Sequence, residues 1–169
     1  MKRILFALTS IICLNASAQI KMPAASPTQT LSQEFGMGKI DINYSRPGIK
    51  GRSVFGDGSL LAPNGVVWRT GANEATTIEI SNDITVQGKT LAKGVYSLFT
   101  IPGETEWTII FNKEAKMWGA YTYKEANDVL RVKARVSEHA HTEQFTIGIT
   151  AAGQVTLDWD KASVSFYLK

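Results

Sequence analysis

The chain has 169 residues, of which 44% are hydrophobic and 20% charged, with a formal net charge of +3. That length suits a single domain. The small positive surplus contains no block of Lys or Arg, which argues against nucleic acid or an anionic membrane as partner, and a lone cysteine, Cys13, excludes an internal disulfide framework.

In chain order, Met1-Lys2-Arg3 is a short basic start, Ile4 to Leu14 is apolar, and Ala16-Ser17-Ala18 is a small-x-small cleavage signal. Residues 1–18 therefore read as a secretory signal peptide cut before Gln19. The apolar run is shorter than the roughly 20 residues a spanning helix needs, so no integral membrane segment is expected after processing. Ile12 stands where a lipoprotein anchor at Cys13 would want a small residue. Loss of Lys2 and Arg3 lowers the formal charge from +3 to +1. The expected location is periplasmic or secreted.

Residues 19–30, with Pro23 and Pro27, read as a flexible lead, and 31–169 as one domain. From Leu31 the apolar pattern has period two. Ile40, Ile42 and Tyr44 alternate with polar residues, as do Ile78 and Ile80. Val95–Ile101 and Trp107–Phe111 flank the turn signal Pro102-Gly103-Glu104 and read as an antiparallel hairpin. Leu130, Val132, Ala134 and Val136 alternate with Arg131, Lys133 and Arg135. Phe145–Ile149, Val155–Trp159 and Val164–Leu168 complete the series, and the helical stretch is brief, around Tyr123 to Asp128. The fold class expected is all-β, an antiparallel β-sandwich of about nine short strands with barrel-like closure as the alternative. Two stretches break the alternation. One is the long glycine-rich loop from Ser45 to Trp68; the other is Asn112 to Asp128, which carries Trp118-Gly119. Long ordered loops of this kind are usually functional or covering.

Trp68-Arg69-Thr70-Gly71-Ala72-Asn73-Glu74 concentrates the chemistry. Arg69 offers a planar fork suited to a carboxylate, a phosphate or a pair of hydroxyls. Glu74 offers an acceptor or a proton-transfer group, and Asn73 a polar orienter. The bland alternative pairs Arg69 with Glu74 or with loop carbonyls, as a brace. Arg46 and Arg52 flank the same loop and, with Arg69, could converge on one mouth beside Trp68. Trp118 sits where an aromatic platform or an end plug could lie, and Trp107 reads as core.

His139 and His141 share one face of an extended segment, with Glu138 and Glu143 nearby. Zinc needs at least three protein ligands, and Asp158-Trp159-Asp160 lacks the pattern of a calcium loop, so neither a metal nor another cofactor is expected. The signatures of serine hydrolases, metalloproteases, phosphate loops and dinucleotide folds are missing from the sequence.

Several of these segments also match a known family in order and spacing. They are Tyr44-Ser45-Arg46-Pro47, Lys50-Gly51-Arg52, Val67 to Thr76, Gly94 to Gly103, Trp107 to Asn112 and Trp118-Gly119. The chain resembles the DUF2911 family of exported proteins, found mainly in Bacteroidetes-type bacteria, over roughly Leu31 to Lys169. The resemblance implies an exported domain with a shared motif and implies no reaction. Three functions stay open: an exported domain binding a small polar or anionic, sugar-like ligand through Arg46, Arg52, Trp68, Arg69, Asn73, Glu74 and Trp118; a structural or protein-partner module braced by the motif; and a glycan or cell-envelope hydrolase using Glu74, with Asp57 as a second carboxylate.

Overall fold

The computed structural model describes residues 22–169. The expected signal segment and the first residues of the lead lie outside them. Nine strands follow one another: β1 (Thr28–Phe35), β2 (Gly38–Ser45), β3 (Thr76–Ile80), β4 (Ile84–Val86), β5 (Lys89–Leu91), β6 (Gly94–Ile101), β7 (Glu106–Asn112), β8 (Asp128–Ile149) and β9 (Gln154–Tyr167). Seven form one antiparallel sheet in the order β1-β2-β3-β6-β7-β8-β9, and β4 and β5 form a small hairpin of their own. Among the described residues the helical content is one 3-10 turn, Glu125–Asn127, inside the stretch expected to be helical. Among the described residues no helix is long and apolar enough to cross a membrane.

The expected all-β antiparallel architecture is present, and its layers come from one sheet that curls on itself. Period-two alternation explains the inner face. Ile40 and Ile42 of β2 pair with Ile80 and Ile78 of β3, and all four are buried. Trp107, Ile109 and Phe111 of β7 and Leu130, Val132 and Ala134 of β8 continue the same core. Each fully buried aliphatic or aromatic side chain contributes about 1.5–3 kcal/mol.

The curl depends on β8, which at 22 residues is longer than the sequence pattern suggested. Its first half pairs with β7. Its second half reaches the chain leaving β2, where Gly48 bridges Gln144 and the Phe145 amide donates to the Pro47 carbonyl (2.9 Å). Tyr44 clasps the two together: its hydroxyl accepts from the Ile147 amide at 2.9 Å. Between the halves, Ser137 to Thr142 bears mostly exposed side chains while β8 shifts register against β9 at two points. Strand pairing, not apolar alternation, carries the chain across that interval. For the same reason β9 runs unbroken where two short strands were expected.

The long loop between β2 and β3 covers the core. Ile49, Val54 and Ala62 are buried in it, and Phe55 meets Trp107 and Trp159 edge-on at 5.2 and 6.0 Å. A second, smaller core lies apart, where Phe99, Ile110, Ala75 and Met117 pack with Val67, Ile101, Ala120 and Tyr123. The segment Lys113 to Asn127 thereby closes over β6 and β7.

Candidate functional site

The motif begins where the long loop rejoins the sheet. Trp68 exchanges both backbone hydrogen bonds with Thr100 of β6 (2.7 and 2.9 Å), and Thr76 starts β3 opposite Leu98 of the same strand. Between these anchors, Arg69 to Ala75 form a loop in which Thr70, Gly71, Ala72 and Ala75 are buried and only Asn73 and Glu74 are exposed. The base is pinched by the Thr76 amide donating to the Arg69 carbonyl (3.1 Å) and by the Thr76 hydroxyl donating to the Thr70 carbonyl (2.6 Å).

Thr70 and Asn73 adopt left-handed backbone angles, φ 53° and 61°. Asparagine tolerates that region, whereas a β-branched residue there is strained by about 1–3 kcal/mol. Thr70 is held in place by complete burial and by its hydroxyl, 3.1 Å from that of Thr100. Gly71 passes so close to β2 that a Cβ would lie 2.8 Å from the Ser45 carbonyl oxygen. Its own carbonyl accepts the Trp68 indole N–H at 3.1 Å. Trp68 itself is core, stacked on Trp159 with ring centroids 5.4 Å apart.

The chain reversals separate the polar residues of the motif. Asn73 and Glu74, both exposed, line a pocket of about 430 Å³ together with Thr28, Asn43, Tyr44, Ser45, Ala75, Thr77 and Trp118. Trp118 is fixed beside them by backbone pairing: the Ala75 amide donates to the Met117 carbonyl and the Gly119 amide to the Asn73 carbonyl, each at 3.0 Å. Trp118 is 63% exposed. The Asn73 amide makes a long contact, 3.4 Å, with the Ser45 hydroxyl. Glu74 is the one carboxylate on this wall, and Asp57 is not part of it.

Arg69 belongs to a different pocket, of about 270 Å³, lined by Leu61, Pro63, Val67, Trp68, Ala120 and Tyr121. It forms no ion pair with Glu74 or any other acid among the described residues. Its Nε is shut off from solvent without a hydrogen-bond partner. Burial, the larger influence, pulls the guanidinium below the ordinary arginine pKa, and Tyr121 acts the other way. Arginine still stays charged at any physiological pH.

The three arginines do not converge. Arg46 reaches the curled-over half of β8, with Nε donating to the Phe145 carbonyl (3.1 Å) and an Nη to the Thr146 hydroxyl (2.8 Å). Arg52 folds back on its own loop and donates to the carbonyls of Ile49 (3.0 Å) and Gly48 (2.7 Å). Neither lines the pocket of Arg69.

His139 and His141 lie exposed on β8, where His141 Nδ1 stands 3.1 Å from Asp160. Among the described residues no three His, Cys, Asp or Glu side chains gather as a metal site would require. One polar cluster escaped the sequence reading. Asp128 accepts from the Tyr123 hydroxyl (2.6 Å), from Arg131 Nε (2.7 Å) and from the Asn112 amide (2.8 Å). Burial and the Asp128 hydrogen bond push the Tyr123 phenol up to about 12. The cluster pins the outer segment to β7 and β8. Its only sequence signal is Asp128 and Arg131 three apart at the strand start.

A family model described as a protein of unknown function, DUF2911, matches residues 26–168. No curated protein and no solved structure matches the chain. The family match takes in every strand of the curled sheet and both pockets, and the protein belongs to the DUF2911 family.

Proposed function

We propose that the protein is an exported ligand-binding domain whose Trp118 pocket takes a neutral, sugar-like polyol. The observation that carries this reading is the exposed Trp118 indole on the same wall as Glu74, Asn73, Asn43, Ser45 and Thr77. An aromatic face suits the C–H side of a sugar ring. Carboxylate, amide and hydroxyl groups suit its hydroxyls, and the wall carries no cation that would favour an anion. A few polar groups placed around an aromatic surface are the usual composition of a small-molecule site. Glycoside hydrolysis would need a second carboxylate about 5–10 Å from the first, and Glu74 stands alone on that wall.

Calorimetric titration of the processed protein against a panel of mono- and disaccharides tests the proposal. Saturable binding is expected, weakened about ten-fold or more by Trp118→Ala, a loss of about 1.4 kcal/mol. Silence across the panel, or binding indifferent to that substitution, would sink it. Export rests on the basic start, apolar run and Ala16-Ser17-Ala18. Mass spectrometry of the processed chain should find Gln19 first, and an intact Met1 terminus would refute it.

A further inference from the structure

We infer that the Arg69 pocket is a second, separate site, which binds a monocarboxylate carried on a small apolar body. Arg69 is a cation without an acidic partner among the described residues, and its Nε N–H is dehydrated yet unbonded. An unmet buried donor is costly, and more so on a charged group. A carboxylate would supply both the missing charge and the missing acceptor, since its two oxygens match the guanidinium fork. Solvent does not reach Nε in the structure, so a two-oxygen grip requires the flanking side chains to part. Tyr121, 83% exposed, is the wall residue with most room to move.

The remaining walls define the rest of the ligand. Leu61, Pro63, Val67 and Ala120 are apolar, and no acidic side chain lines the cavity. A dianion such as phosphate would find one cation and few other donors, whereas an aliphatic or aromatic body would find matching walls. At about 270 Å³ the space lies at the small end of ligand pockets. None of its lining residues lines the Trp118 pocket, so the two proposals stand or fall separately.

The test is thermal unfolding and calorimetry of the full processed chain with phenylacetate, hexanoate, phenylacetamide and inorganic phosphate. At about ten times the dissociation constant, a carboxylate should stabilise the fold about eleven-fold and raise Tm by about 3–6 °C. Phenylacetamide and phosphate should leave Tm unchanged. Arg69→Ala should abolish the carboxylate effect and Trp118→Ala should preserve it. If Arg69→Ala does not fold, Arg69→Met keeps the packing of the stem and replaces it. No shift with either carboxylate, an equal shift with phenylacetamide or phosphate, or a shift retained without Arg69 would each overturn the inference.

Discussion

Arg46 and Arg69 stand at opposite ends of the same long loop, and the fold uses them differently. At the β2 end, Arg46 donates to a carbonyl and a hydroxyl of β8 and so ties the closing edge of the curled sheet. At the β3 end, Arg69 has a partnerless Nε and apolar neighbours. An arginine that satisfies main-chain carbonyls accounts for itself as structure. One that stays unpaired at a stability cost, on a loop also strained at Thr70, is the pattern expected where function outweighs stability. The same division runs through the motif. Trp68, Thr70, Gly71 and Thr76 face inward and brace the loop, while Arg69, Asn73 and Glu74 face two different pockets.

Three measurements would break or sharpen that division. The largest effect belongs to the inward half: Trp68→Ala should cost about 3–5 kcal/mol and lower Tm by roughly 6–20 °C in a calorimetric scan. A loss under about 1 kcal/mol would show that the aromatic stack is not what holds the loop. Next comes the arginine pair itself. Arg46→Ala should cost about 1–3 kcal/mol, by stranding its acceptors on β8, while Arg69→Ala should leave stability within about 0.5 kcal/mol or raise it. Equal losses in denaturant unfolding would erase the contrast between the two ends. The smallest effect is alkaline. The Tyr123 phenol titrates near 10 when unfolded and about 12 when folded. A raised folded pKa gives stability that is complete below pH 10 and lost as pH rises through about 12. Tyr123→Phe should flatten that step, and an unchanged alkaline melting profile would remove Tyr123 from the account of how the outer segment is held.

Much of the sheet was legible because β2 and β3 alternate over a buried face, while β6 and β7, buried on both faces over most of their length, read as runs of strand formers on either side of a turn. The lengths of β8 and β9 were not, since residues 137–143 are mostly exposed and are held by backbone pairing that leaves no apolar signature. The β4–β5 hairpin was also missed. Its strands are three residues each, and its turn, Gln87-Gly88 with both φ values positive, is a weaker signal than Asn-Gly. At the site, the sequence marked the Trp68–Glu74 motif as a dense polar segment. It could not show that left-handed turns at Thr70 and Asn73 would send Arg69 one way and Glu74 another. Nor could it show that Arg46 and Arg52 would find carbonyls, because those acceptors come from the tertiary path of the chain.

The clasp between Tyr44 and Ile147 joins residues 103 apart in sequence, and this has a kinetic consequence. Closing so long a loop carries an entropy cost before any contact repays it, and folds dominated by distant strand pairing are slow to form. Hairpins such as β6–β7 can assemble early from neighbours. The curl waits until β8 has been made nearly to its end, so a partly synthesised chain exposes the inner apolar face of the sheet for most of its emergence.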